Sequence, residues 1–120
     1  MAAHVESNNA VTFVASDMAT SVRFYEALGF RLVFGGADQP FSTLSSGECF
    51  VNLTSEGAEG YEPRFWGRVI FHVDDVDALH EQATAAGLTP RQAPRDAPWS
   101  ERMFPINDPD GHDLSFARRL

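Results

Sequence analysis

The spacing of apolar positions along the chain alternates between two periods. Residues 10–15 (Ala-Val-Thr-Phe-Val-Ala) are rich in branched and aromatic side chains and predict a β-strand. Met18, Val22, Tyr25 and Leu28 then recur at helical intervals and predict a helix over 18–28. Asp17 stands where an N-cap is wanted, and Gly29 where left-handed φ ends a helix. Strands are predicted at 30–34, 41–44 and 48–54, the last two joined by a Ser45-Ser46-Gly47 turn. Residues 55–64 are polar and rich in turn formers, and read as a linker.

The pattern then restarts. A strand is predicted at 68–73, Asp75 as a second N-cap, a helix at 76–86, Gly87 as its terminator and a strand beginning at Leu88. Phe13 and Phe71, Asp17 and Asp75, Gly29 and Gly87, and Phe30 and Leu88 are each 58 positions apart. An ordered set at one offset is an internal repeat. With further strands at 102–107 and 113–117, the unit is β-α-β-β-β, used twice. The expected organisation is one domain over 1–120: module 1 about 10–55, a linker about 56–65, and module 2 about 66–118. The fold class is α+β. One helix per four strands covers only one face of each sheet. The other faces meet, or curve around a cavity in which a small ligand fits.

The closing run, from Pro98 to Phe116, reads as strand, tight turn and strand. Asp108-Pro109-Asp110-Gly111 supplies the turn: Asp hydrogen-bonds the backbone ahead, Pro sets φ, and Gly accepts positive φ.

Composition narrows the partners. A net charge of −8 repels nucleic acid and anionic lipid, so neither partner is expected. No apolar run reaches the ~20 residues of a membrane span, and residues 1–9 lack a signal-peptide pattern. The single cysteine, Cys49, excludes an internal disulfide and fits a reducing, cytoplasmic setting. Its predicted place beside Phe50 and Asn52 points it into the helix layer as a buried, inert thiol.

The segment Val14-Ala15-Ser16-Asp17-Met18 through Phe24-Tyr25, ending in Leu28-Gly29-Phe30, resembles the vicinal oxygen chelate (VOC) superfamily. This is the glyoxalase, bleomycin-resistance and extradiol-dioxygenase group. Phe71-His72-Val73-Asp74-Asp75-Val76 and the run from Pro98-Trp99-Ser100-Glu101-Arg102 to Asp108-Pro109-Asp110-Gly111-His112 carry the same resemblance. It implies two βαβββ modules forming a curved mixed β-sheet around a cavity, and a homodimer whose cavities the partner completes. Enzymes of the superfamily hold a divalent metal through His, Glu or Gln at four positions. By resemblance these positions fall on Ala10, Asn52, Arg68 and Ser115. Alanine has no donor, a guanidinium repels a cation, and neutral amide or hydroxyl oxygens are weak ligands. No metal or other cofactor is therefore expected.

Of the four histidines, His4, His80 and His112 are expected at the surface. Arg68, Ile70 and His72 alternate along one strand and share a face. Asn52, Arg68 and His72 are thus the polar candidates for a ligand site, joined by Ser115 and by Arg102. Trp99, on the loop leading to the closing hairpin, either borders the cavity or plugs the sheet. The expected function is metal-free binding or sequestration of a small molecule, an antibiotic or a metabolite, as in the bleomycin-resistance branch. The alternatives are a metal-dependent lyase, isomerase or dioxygenase with displaced ligands, and a metal-free enzyme using His72 as general base. Ligand charge is open: overall acidity suits a cation, Arg68 an anion.

Overall fold

The computed structural model describes residues 2–120. The first module runs β1 (Ala10–Val14), α1 (Met18–Ala27), β2 (Arg31–Phe34), β3 (Phe41–Ser46) and β4 (Cys49–Thr54). The second runs β5 (Arg68–His72), α2 (Val76–Ala85), β6 (Arg95–Ala97), β7 (Glu101–Asn107) and β8 (Asp113–Arg119). Each forms a mixed four-stranded sheet, ordered β1-β4-β3-β2 and β5-β8-β7-β6, with the module's first strand parallel to its last.

Local chemistry explains the boundaries. Asp17 accepts from the Thr20 amide at 3.1 Å and Asp75 from Ala78 at 3.0 Å, so each helix has its side-chain cap. Gly29 and Gly87 take positive φ just beyond the helix ends. One expectation fails here. Leu88 opens no strand; the chain pairs again only at Arg95–Ala97, after Pro90 and Pro94. Proline cannot donate to a ladder, so the intervening loop stays irregular.

The helices lie on one side of the two sheets and share a continuous core. Phe13, Tyr25, Leu44, Val51 and Leu53 belong to it from the first module; Phe104, Ile106, Leu114 and Phe116 belong from the second. Phe30 meets Phe71 edge-on at 5.5 Å across the boundary.

The Asp108–His112 turn is the polar counterpart of that contact. Tyr25 donates its hydroxyl to Asp108 Oδ2 at 2.8 Å, and the Ser16 amide donates to Asp110 at 3.1 Å. His112 stacks on Phe13 at 4.7 Å, lies 2.9 Å from the Val14 carbonyl through Nε2, and accepts from Trp66 Nε1 through Nδ1 at 2.8 Å. These partners require the neutral imidazole with its proton on Nε2. His112 is 3% exposed, not at the surface as the turn alone suggested. The tip faces the other module, so its polar groups are buried with partners. Burial raises the Asp108 carboxyl above its ordinary pKa, against the hydrogen bonds from the His112 and Asp110 amides and the Tyr25 hydroxyl that favour its charge. It also raises the Tyr25 phenol, and nearby Asp108 adds to that shift. Gly111 has φ +85°, and a Cβ there would lie 2.7 Å from Pro63 Cβ. The turn therefore needs glycine for both conformation and space.

Cys49 is exposed. It shares strand parity with buried Val51 and Leu53, so its face is the helix side as expected. It pairs with Ser46 at the end of the β3–β4 ladder, where the core no longer covers it. His80 is half-buried, edge-on to Phe104 at 5.2 Å.

Candidate functional site

The faces opposite the helices are open. On the second sheet, Arg68 and Ile70 of β5, Ser115 and Ala117 of β8, and Met103 and Pro105 of β7 floor a cavity of about 430 Å³. Its rim comes from Arg91 and Gln92 in the loop after α2, Arg95 of β6, Trp99 and Glu101. The loop is anchored by the Arg91 amide, which donates to the Pro105 carbonyl at 2.9 Å.

Trp99 sits in the three-residue turn between β6 and β7. Ala97 pairs with Glu101, the Ser100 amide donates to the Ala97 carbonyl, and Ser100 adopts φ +67°. That is the hairpin form in which a left-handed residue closes the turn. It leaves the indole 59% exposed over the cavity, so the ring borders the site and does not plug the sheet. Trp99 Nε1 donates to Glu101 Oε1 at 3.0 Å, and the Arg95 guanidinium lies 5.9 Å from the ring centroid.

At one end, Arg68 and Arg91 each donate to a different oxygen of Asp113, at 2.9 and 3.1 Å. Burial works to raise the Asp113 pKa, but hydrogen bonds from the two arginines hold it below its ordinary value. Arg91 also donates to Asn107 at 2.6 Å. At the centre, Ser115 is 2% exposed and its hydroxyl has no partner.

Of the residues singled out in the sequence, Arg68, Trp99 and Ser115 come together in this cavity. Three do not. Asn52 is on the other sheet, accepting from Thr43 at 2.7 Å and donating to Thr12 at 3.3 Å. His72 shares the face of Arg68 and Ile70 but lies beyond the cavity, its Nε2 3.6 Å from Glu101 Oε2. Arg102 points the opposite way: alternation sends Glu101 and Met103 to the cavity and Arg102 to α2, where it meets Asp77 and Asp96 at 2.7 and 3.0 Å. Arg91, Arg95 and Glu101 were missed. The cluster Arg91-Gln92-Ala93-Pro94-Arg95 held the signal: two cations in a proline-bounded loop just before Trp99.

A second space, of about 570 Å³, lies at the seam between the modules, bordered by Cys49, Phe50, Trp66 and Arg68. Among the described residues, no three His, Cys, Asp or Glu side chains converge to hold a metal ion. Nor is any helix there long and apolar enough to cross a membrane.

Residues 4–116 match the family model described as the glyoxalase/bleomycin resistance protein/dioxygenase superfamily. The chain belongs to this superfamily. Bleomycin resistance proteins of Geobacillus stearothermophilus and Staphylococcus aureus are 26% identical over 121 residues, covering 87% of this chain and 90% of theirs. TioX from Micromonospora sp. ML1 is similar in structure, with TM-score 0.76 and 30% identity over 96% of this chain and 100% of that one. A bleomycin-binding protein crystallised with bleomycin has the same fold, at TM-score 0.76 and 24% identity over 96% and 100%. The four residues that the resemblance places at the superfamily's metal positions do not suit a metal ion. Arg68 is a cation paired with Asp113, Asn52 is hydrogen-bonded within its sheet, Ala10 has no donor, and Ser115 offers one neutral hydroxyl.

Proposed function

We propose that this protein binds and sequesters a planar or aromatic small molecule, an antibiotic or a metabolite, in the open-face cavity of its second sheet, without a metal ion of its own. The observation that carries the reading is the pairing of an exposed, oriented Trp99 with the buried, unpartnered Ser115 hydroxyl. A buried polar group without a partner costs free energy that a bound ligand would recover. The kinship to bleomycin resistance proteins supports sequestration over turnover, and the donor-poor metal positions support it further. The expected setting is the cytoplasm.

The functional unit in this reading is a homodimer. Phe34, Phe41, Phe50 and Ile70 are exposed, although each lies in a strand. A second copy covering these faces would bury them and close the cavity over its ligand. Sedimentation equilibrium should give twice the chain mass; a monomer at micromolar concentration would refute this part.

Tryptophan fluorescence titration against a panel of antibiotics and metabolites, beginning with bleomycin, tests the binding reading. Saturable quenching is expected, and Trp99→Phe should abolish it, because Trp66 is engaged with His112. Quenching unchanged in Trp99→Phe would overturn the site assignment. Stoichiometric nickel, zinc, iron or manganese in the purified protein would overturn the metal-free reading.

A further inference from the structure

From the charge pattern around this cavity we infer that its ligand is an aromatic carboxylate, with the ring on Trp99 and the carboxylate received by Arg95, Arg91 and the Ser115 hydroxyl. The inference rests on the binding reading above and names the chemical class that the site accepts.

The whole chain is acidic, at −8, which alone would favour a cation. Charges farther than about 8 Å are largely screened at physiological salt, so nearby groups decide. The chain's nine basic residues are all arginine, and three of them border this one cavity. Facing Arg68, Arg91 and Arg95 are the carboxylates of Asp113 and Glu101, so the site has one positive charge in excess. The negative groups are also engaged. Asp113 is shared between two guanidiniums, and Glu101 accepts from Trp99.

Donors are in surplus as well. A guanidinium offers five N–H groups. Arg68 uses one side-chain hydrogen bond, Arg91 two, and Arg95 one, to Gln92 at 3.2 Å. A planar carboxylate matches the guanidinium fork, and a hydroxyl such as that of Ser115 can donate a further hydrogen bond. A cationic ligand would find one carboxylate oxygen, Glu101 Oε2, which lies 3.6 Å from His72 Nε2, against the unused N–H groups of three guanidiniums. The Arg95 guanidinium beside the indole places the charged and aromatic halves of the site next to each other.

The test compares three probes sharing one ring: 2-naphthoate, 2-naphthamide and 2-naphthylmethylammonium. Binding is read by calorimetry and by two-dimensional NMR of the indole N–H signals. Naphthoate is expected to bind at least about tenfold tighter than the amide, and the ammonium compound more weakly still. The Trp99 indole signal should shift while that of Trp66 stays. Arg95→Gln, which removes one exposed side-chain hydrogen bond to Gln92 and the contact with the Trp99 ring, should lower naphthoate affinity about tenfold with unchanged melting temperature. Ser115→Ala should lower it more modestly. Equal binding of the three probes at Trp99 would overturn the anionic class and leave the binding reading standing. Loss of all binding in Trp99→Phe with none in Arg95→Gln would do the same. No shift at Trp99 with any probe also overturns the inference, whereas bleomycin or another panel member still quenching Trp99 would leave the binding reading intact.

Discussion

Tyr25→Phe isolates the polar bond between the modules. Tyr25 is fully buried, and its hydroxyl donates to Asp108 Oδ2 at 2.8 Å. Phenylalanine keeps the ring against Phe13, Phe24 and Phe30, whose centroids lie 5.0–6.0 Å away. The change therefore removes one hydrogen bond to a buried carboxylate and little packing. Asp108 keeps only its Oδ1 partners, the amides of Asp110 and His112. Hydrogen bonds to charged groups contribute about 1.5–3 kcal/mol, so stability should fall by about that amount. For a chain of this size the melting temperature should drop roughly 5–15 °C. Urea unfolding at pH 7 measures it, with an unchanged m-value showing that the folded state is intact. In an Asp108→Asn background the hydroxyl loses its charged partner, and the cost of Tyr25→Phe should shrink by about 1 kcal/mol or more. A loss below about 0.5 kcal/mol, or equal costs in both backgrounds, would refute the claim that this bond joins the modules.

Three further outcomes follow from the geometry. Asp113 has a folded-state pKa held down by Arg68 and Arg91, so its contribution is present above its unfolded value near ~3.9 and is lost as pH falls through the folded value. The stability gap between wild type and Asp113→Asn, followed by urea unfolding, should therefore narrow as pH drops below about 4; a constant gap would contradict the pairing. Cys49 should react with a disulfide reagent in the native protein nearly as fast as in the unfolded chain, because it is exposed at a strand end; protection would mean that a second copy or the core covers it. Gly111→Ala should cost at least about 2 kcal/mol by thermal melt, since alanine is strained at positive φ and its Cβ meets Pro63.

The repeat was legible because its signals are local. An N-cap aspartate and a terminating glycine act within one helical turn, and the 58-residue offset made each copy support the other. What was not legible depends on how the copies meet. His112 follows a polar turn, and nothing nearby in the sequence reports that the turn is inserted beside Phe13 and Tyr25 of the other module. Arg102 was misplaced because its facing depends on strand parity, and β7 begins at Glu101. One position of parity separates the cavity from α2. Asn52 and Arg68 were grouped by family position, yet they lie on different sheets.

Equivalent positions in the two modules show where recognition can reside. Thr12 opposite Asn52 in the β1–β4 ladder corresponds to Ile70 opposite Ser115 in β5–β8. In the first module the amide of Asn52 is satisfied by Thr43 and Thr12, so the sheet completes its own polar chemistry. In the second, Ile70 can offer Ser115 no partner, and the cross-strand neighbour on the other side is Pro105. Neither side chain donates or accepts, which is why the hydroxyl is left unsatisfied. The next pair along reinforces the difference: Ala10 opposite Phe50 is apolar, whereas Arg68 opposite Asp113 is charged. The same backbone thus carries one face with its polar groups internally paired and one with a donor, a cationic rim and an indole left open. In the proposed binding reading, affinity for a small molecule belongs to the second face, where the Ser115 hydroxyl has no partner within the protein.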